Sequence, residues 1–172
     1  MMRPSKADEQ KIGEEIAKEL EALMFRSMEA INAHQFNPDL DPWTGYAEGF
    51  HMNLSTGVRG RVSSKADMLK EFATLTARYK DFKISISNIS VNVYTKHDKA
   101  ELYLNSASTG GPGVPLGMER SSVSVFFFER TQVDDKWWLM REVTLTGMSM
   151  ARLGRRYGLE VLRFSPRHLS TM

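Results

Sequence analysis

The 172-residue sequence contains no cysteine, which excludes disulfide bonds and thiolate chemistry. It also has no run of about 18 consecutive apolar residues, the minimum that a membrane-spanning helix requires. The first ten residues lead into charges rather than into the apolar core of a signal peptide. From these absences we expect a soluble, cytoplasmic protein with no membrane partner.

Histidine is scarce, and acidic and basic residues are nearly balanced. The four histidines, His34, His51, His97 and His168, lie far apart without paired spacing, so we expect no metal site and no cofactor. The formal net charge of +2 is too small to indicate a nucleic-acid partner. The arginine-rich segment 152–158 is short and carries one aromatic residue, so we expect no nucleic-acid binding there either.

Two segments carry apolar residues at spacings of three and four, which predicts helices with one buried face. The first segment covers residues 5–34, with Gly13 as a point where the helix can break. The second covers residues 63–79, with Ser63 or Ser64 as its N-terminal cap. A chain of this length with 41% hydrophobic residues is expected to bury one core.

After the second helix the apolar residues alternate with period two, which indicates strands. A one-residue slip in this alternation at Asn88 predicts a β-bulge. The expected fold is α+β, a strongly curved antiparallel sheet wrapped around the N-terminal and middle helices. The strands are predicted at residues 45–57, 83–95, 100–108, 119–131 and 137–147. We expect one domain over residues 1–147 and a basic C-terminal extension over residues 148–172.

The first predicted strand, GYAEGFHMNLSTG at residues 45–57, has two different faces. Phe50 and Met52 fall on one side, and His51 and Asn53 fall on the other, because side chains alternate along a strand. The polar row either lines a pocket or faces water. The sequence leaves both readings open, and they separate an enzyme from a binding or dimerisation module.

The last two predicted strands are apolar on both faces, so both faces need a cover. Two helices can cover one face only. We therefore expect a homodimer through the outer sheet face, with the C-terminal extension as the competing cover. On the last strand, Arg141 is predicted to share a face with Leu139 and Val143, and Glu142 to lie on the opposite face. A partly buried Arg141 must contact an anion, either a ligand or a glutamate on a neighbouring strand. The alternative is that Arg141 is exposed at the rim.

Two short patterns accompany this order of elements. Gly60 precedes the capped second helix that contains Phe72, and residues 135–139 read DKWWL at the last strand. Over about residues 12–147 the sequence resembles the nuclear transport factor 2-like superfamily, and within it the SnoaL-like, polyketide cyclase-type group. The resemblance implies a cone-shaped, cystatin-like sheet with a deep pocket, and homodimers through the outer sheet face. It leaves function open, since the group includes dehydratases, isomerases, cyclases and non-catalytic proteins.

The predicted catalytic residues are His51, Arg141 and Tyr103. An imidazole transfers protons near neutral pH, so His51 is the predicted general acid-base group. Arg141 and Tyr103 are predicted to stabilise negative charge on a substrate oxygen. Proteins of the resembling group commonly use an Asp or His inside the cone, but Asp39 and Asp41 lie in a predicted turn and do not match that role.

Five further residues are predicted to bind substrate. Trp43 and Tyr46 are expected at the pocket mouth, and Asn53, Asn105 and Glu142 on strands. The predicted ligand is a small apolar or aromatic molecule. The functional hypothesis is a cofactor-independent isomerase, cyclase or dehydratase that acts on a polyketide-like carbonyl compound by proton transfer. The alternative is a non-catalytic dimeric ligand-binding or interaction module of the same fold.

Overall fold

The computed structural model describes residues 5–53 and 61–146, which form two helices and six strands. The helices are α1 (Lys6–Asn32) and α2 (Lys65–Arg78), and the strands are β1 (Tyr46–Asn53), β2 (Arg61–Val62), β3 (Lys83–Tyr94), β4 (Lys99–Thr109), β5 (Arg120–Arg130) and β6 (Trp137–Thr146). The predicted α+β fold class is confirmed. The predicted extension, residues 148–172, lies outside the described residues.

Both helices begin at a serine cap. The Ser5 hydroxyl accepts a hydrogen bond from the Asp8 N–H at the start of α1. The Ser64 hydroxyl accepts one from the Asp67 N–H at the start of α2. The predicted break of α1 at Gly13 is wrong, because the helix runs without interruption from Lys6 to Asn32. One glycine costs a helix only about 1 kcal/mol relative to alanine, and packing of the buried stripe outweighs that cost.

The strand order is β2-β1-β6-β5-β4-β3. Every pairing is antiparallel except that of β1 with β6, which is parallel. The prediction of a purely antiparallel sheet is therefore wrong at this one junction. Sequence alternation is the same in parallel and antiparallel strands, and no hairpin joins β1 to β6, so nothing local determines their relative direction.

Two one-residue bulges change which side chains face inward. The predicted bulge at Asn88 is confirmed, because the register of β3 against β4 shifts between Ile86 and Asn88. A second bulge lies in β6, where Phe128 pairs with Leu139 and Phe127 pairs with Arg141. The extra residue is Met140, which lies between Leu139 and Arg141.

The bulge in β6 corrects the predicted faces of that strand. Leu139 is fully buried on the inner face, whereas Arg141 is exposed on the outer face. Glu142 then points inward, toward the helices. The prediction that Leu139 and Arg141 share a face is wrong, because one inserted residue reverses the alternation beyond it.

The core lies between the inner face of the sheet and the two helices. Helix α1 packs against β3, and α2 packs against β1. The largest fully buried side chains on the inner face of the strands are Phe50, Leu102, Leu104, Phe126, Phe128 and Leu139. On the opposite, outer face, neither helix covers the strands.

The side chain of Asn32, at the end of α1, fastens the helix to the sheet edge. Its amide nitrogen donates to the Ile84 carbonyl at 2.8 Å, and its amide oxygen accepts from the Ile84 N–H at 2.8 Å. β3 is an edge strand, so these backbone groups have no strand partner on that side. One side chain thereby satisfies two edge groups and sets the position of α1 along β3.

We expect Asn32→Ala to reduce the free energy of unfolding by about 1–3 kcal/mol, because two partly buried backbone groups lose their partners. Urea denaturation of the purified variant measures this. Asn92→Ala is the matched control, since Asn92 is exposed on β3, the strand that Asn32 contacts. We expect its free energy of unfolding to lie within about 0.5 kcal/mol of that of wild type. Equal losses in the two variants would show that the Asn32 contacts do not stabilise the fold.

Candidate functional site

A cavity of about 910 Å³ lies between the helices and the inner face of the sheet. This volume is within the range of about 300–1,000 Å³ that small-molecule sites occupy. The exposed lining residues mark its opening, where Thr74 and Arg78 of α2 face the loop of residues 111–119. The described fold therefore contains a pocket of ligand size that is open to solvent.

The two walls of the cavity differ in chemistry. The helix wall is mostly apolar, with Met28, Ile31, Met68, Phe72 and Leu75, and α2 also contributes Glu71, Thr74 and Arg78. The sheet wall carries short hydroxyl side chains, namely Ser106, Ser108, Ser122, Ser124 and Thr144. These small residues follow the inward positions of β4, β5 and β6, where larger side chains would fill the space. The cavity exists because the inner face of the sheet changes from large apolar residues to small polar ones.

Glu142 places a carboxyl group among these hydroxyls. Its Oε1 atom contacts the Ser124 hydroxyl at 3.0 Å and also accepts a hydrogen bond from Thr144. The Ser124 and Thr144 hydroxyls are themselves 2.6 Å apart. Burial raises the pKa of Glu142, and the hydrogen bonds from Thr144 and Ser124 oppose that shift.

Burial is the effect that favours a proton on Glu142. Three oxygen atoms, from Glu142, Ser124 and Thr144, make three mutual contacts. Both hydroxyls are placed to donate to Oε1, which favours the charged carboxylate, whereas burial favours the neutral acid and is the larger effect. Glu142 therefore holds its proton to a higher pH than an exposed glutamate does.

Tyr46 lies near Glu142 in the same wall. The Tyr46 side chain is 3% exposed, and burial raises the pKa of its phenol. A hydrogen bond with Ser27 opposes this shift, and the charge of Glu142 adds to it. The two acidic groups are therefore close enough to interact electrostatically, and Tyr46 retains its proton.

Trp43 and Tyr46 form part of the buried cavity wall and not its mouth, which corrects their predicted position. Trp43 is 1% exposed, and its indole N–H donates to the Gln35 carbonyl at 2.8 Å. The ring centroids of Trp43 and Tyr46 are 5.3 Å apart, and those of Tyr46 and Phe50 are 5.2 Å apart. This aromatic row holds the Tyr46 ring in position.

His51 and Arg141 lie side by side on the outer face of the sheet, away from the cavity. They are register partners across β1 and β6, and both line a second, smaller pocket of about 440 Å³ there. The Arg141 guanidinium stands 4.0 Å from the centroid of the Phe127 ring. The prediction that Arg141 is partly buried and requires an anion is wrong, since it is exposed and stacks on an aromatic ring.

Tyr103 and Asn105 are also exposed on the outer face. The Tyr103 hydroxyl donates to the Glu101 carboxylate at 2.9 Å, and this hydrogen bond raises the pKa of Tyr103. The predicted catalytic set of His51, Arg141 and Tyr103 therefore shares a face of the sheet, but that face is not the one that lines the cavity. The side chain of Asn53 lies outside the described residues.

Sequence reasoning missed the hydroxyl groups that contact Glu142. Ser122 and Ser124 alternate with Val123 and Val125 along β5 and precede Phe126 on the same face. Inward serines followed by inward phenylalanines signal a polar cavity that gives way to a packed core. That signal was present in the sequence and could have placed the site on this face.

No family model matches this sequence, and no curated protein does. Many solved structures resemble the fold, and three of them show the extent of the likeness. A nuclear transport factor 2-like protein with a cystatin-like fold from Novosphingobium aromaticivorans has a TM-score of 0.61 and 15% identity, over 78% of this chain and 84% of that one. A proposed dehydratase of the nuclear transport factor 2-like family from Streptomyces avermitilis has a TM-score of 0.53 and 18% identity, over 76% and 95% of the two chains.

The third structure is a proposed aromatic ring hydroxylase from Novosphingobium aromaticivorans, with a TM-score of 0.57 and 19% identity, over 75% of this chain and 87% of that one. At these identities the likeness shows the fold alone. The chain therefore has the cystatin-like fold of nuclear transport factor 2-like proteins. Within residues 5–53 and 61–146, no helix is long and apolar enough to span a membrane.

The raised pKa of Glu142 predicts a pH-dependent stability. The folded chain holds this proton to a higher pH than the unfolded chain, so stability falls as pH rises from the ordinary glutamate pKa through the raised one. Glu142→Gln removes the charge but keeps an acceptor for Ser124 and Thr144. We expect the free energy of unfolding of the variant to exceed that of wild type near pH 8, with little difference between them near pH 4.

Urea denaturation at the two pH values measures this difference. Glu19→Gln, at an exposed position on α1, is the matched control and should show no gain at either pH. A gain for Glu142→Gln that is equal at both pH values would contradict a raised pKa at this carboxyl group.

Proposed function

We propose that the cavity binds a small, mostly apolar molecule with an oxygen function, and that Glu142 transfers protons to or from it. The reaction class is isomerisation, cyclisation or dehydration without a cofactor. The observation that carries this proposal is the Glu142 carboxyl group, which faces the cavity beside the Ser124 and Thr144 hydroxyls and whose pKa is raised by burial.

The lining supports binding of such a molecule. A cavity with an apolar helix wall and a hydroxyl-bearing sheet wall matches a ligand that is apolar on one side and oxygenated on the other. Burial of the apolar side supplies affinity, and the hydroxyls orient the oxygen atoms.

The chemistry follows from the environments of two groups. A general acid-base group works best when its pKa lies near the working pH, and burial shifts the Glu142 pKa in that direction. A protonated Glu142 acts as an acid toward a leaving hydroxyl or a carbonyl oxygen, and its anion then accepts a proton from carbon. Tyr46 stays protonated and can donate a hydrogen bond to an oxygen on which charge develops.

The related structures are consistent with this reading but do not select a reaction. One is a proposed dehydratase and another a proposed aromatic ring hydroxylase, and both carry the fold. A fold of this kind hosts several chemistries, so the reaction class here rests on Glu142 and its neighbours.

The proposal predicts that ligand binding and turnover can each be lost separately through a different substitution. Native mass spectrometry of wild type, Ser122→Phe and Ser85→Phe, each incubated with the same metabolite extract, tests binding. We expect wild type and Ser85→Phe to retain a defined small molecule and Ser122→Phe to lose it. Ser122 lines the cavity, whereas Ser85 is exposed outside it, so the same added bulk blocks the cavity in only one variant.

The retained compound, supplied to wild type and Glu142→Gln, then tests turnover. We expect the rate to fall by about 10²- to 10⁴-fold with binding retained, as for loss of a general acid-base group. A compound that Ser122→Phe also retains would place the binding site elsewhere. A compound that wild type binds but does not change would favour the non-catalytic binding module over the enzyme.

For the outer face, we propose that a second copy of this chain covers it. Tyr103, Val125 and Val143 lie side by side in register, and Tyr103 is 39% exposed. The neighbouring row pairs Glu101, Phe127 and Arg141, so an acidic and a basic group flank an apolar centre. A two-fold axis through this face brings Arg141 opposite Glu101 of the other copy. The residues predicted to be catalytic then belong to an interface.

We expect Val125→Asp to convert the dimer into a monomer, because it places an unpaired charge in the apolar centre of the face. Size-exclusion chromatography with light scattering measures the mass. Val133→Asp is the matched control, since Val133 is 98% exposed in the turn before β6 and its variant should stay dimeric. A monomeric wild type at tens of micromolar would overturn the proposal.

A further inference from the structure

Arg120 lies at the opening of the cavity and continues the inward row of β5. Inward positions on this strand are even-numbered, so Arg120 shares a face with Ser122 and Ser124. Its register partner on β4 is Ser108, which also lines the cavity. The guanidinium group therefore extends the hydroxyl wall toward the opening and is not part of the outer face.

The loop at the opening approaches Arg120 closely. A Cβ atom at Gly113 would lie 3.3 Å from Nη2 of Arg120, and Gly113 has φ of +67°. Glycine is the residue that adopts this backbone conformation without strain and leaves room for the guanidinium. The Arg120 side chain is half-buried beneath the loop as a result.

Arg120 has no carboxylate partner in the described part of the chain. No Asp or Glu oxygen among those residues lies within 4.0 Å of its guanidinium. The other charged groups that line the cavity are Glu71, Arg78, Glu119 and Glu142. Arg78 is exposed in the last turn of α2, where a cation interacts favourably with the helix dipole. Its guanidinium is 5.5 Å from the Tyr79 ring centroid. Arg120 is thus the half-buried cation of the cavity.

We infer that Arg120 binds the carboxylate of the ligand whose oxygen function reaches Glu142. This inference rests on the proposed function and adds the substrate class. Arg120 lies four positions before Ser124, which contacts Glu142, and at the rise of a β-strand their Cα atoms are about 13 Å apart. The ligand is therefore an elongated or polycyclic apolar acid, with its carboxylate at the end opposite the reacting oxygen.

A guanidinium suits this task because it binds a carboxylate through two parallel hydrogen bonds. The serines between Arg120 and Glu142 can contact further oxygen atoms along the same edge of the ligand. The apolar helix wall contacts the opposite edge. The guanidinium, the serine hydroxyls and the apolar helix wall together select one orientation of the acid. In that orientation its reactive end lies toward Glu142.

The test compares an apolar acid with its uncharged counterpart. The probes are 11-(dansylamino)undecanoic acid and its methyl ester, titrated by fluorescence into wild type, Arg120→Gln and Lys80→Gln. We expect wild type and Lys80→Gln to bind the acid about tenfold more tightly than the ester, and Arg120→Gln to bind both equally. Lys80 is exposed and does not line the cavity, so its variant controls for net charge.

Two further variants keep the outcomes distinct. Ser122→Phe should weaken binding of both probes, which locates them in the cavity, and Arg78→Gln should keep the preference for the acid. If wild type binds the ester and the acid with equal affinity, the carboxylate site is overturned, but binding of the probes in the cavity is not. Loss of the preference in Arg78→Gln but not in Arg120→Gln would also overturn it. Failure of both probes to bind wild type would overturn the carboxylate site and the proposed cavity function together.

Discussion

The extra residue Met140 in β6 determines which side chains the sheet presents to its two faces. Alternation with period two is a strict constraint, so one inserted residue exchanges the faces of everything beyond it. Before the bulge, Leu139 is buried in the core; after it, Glu142 points into the cavity and Arg141 points away. Without the bulge, a guanidinium would occupy the inner face in place of the carboxyl group, and the chemistry of the cavity would be different.

The cavity and the core are two parts of one inner face. Where the inward residues are large, as at Phe126 and Phe128, the sheet packs directly against the helices. Where they are small, as at Ser122 and Ser124, the same separation of sheet and helices leaves space. The close packing of the first region holds the walls of the second apart, so a polar pocket is maintained beside a dry core. Glu142 lies where the two meet, which gives it both burial and hydroxyl partners.

The predictions from sequence succeeded where the physics is local. Helix α2 begins at its predicted serine cap, the strands β3 to β6 begin and end within one residue of their predicted bounds, and the bulge at Asn88 is where the alternation slips. The inward position of Phe50 and Met52 also follows from alternation. Of the residues predicted to bind substrate, Tyr46 and Glu142 line the cavity, although Tyr46 lies in its wall and not at its mouth. His51, the predicted acid-base group, lies on the opposite face. Intrinsic proton affinity singled out the histidine, whereas burial is what gives the carboxyl group its altered pKa.

The sequence by itself determined the two helices, the strands β1 and β3 to β6 and the α+β class, because each of these depends on periodicity and on caps within a few residues. Only the tertiary structure decided that β1 runs parallel to β6, that Met140 is the unpaired residue, and that Glu142, Ser124 and Thr144 meet. Strand direction and register depend on pairings between residues far apart in the chain, and no local pattern encodes them. The chemistry of the site depends on those pairings, so the candidate residues were visible in the sequence while their arrangement was not.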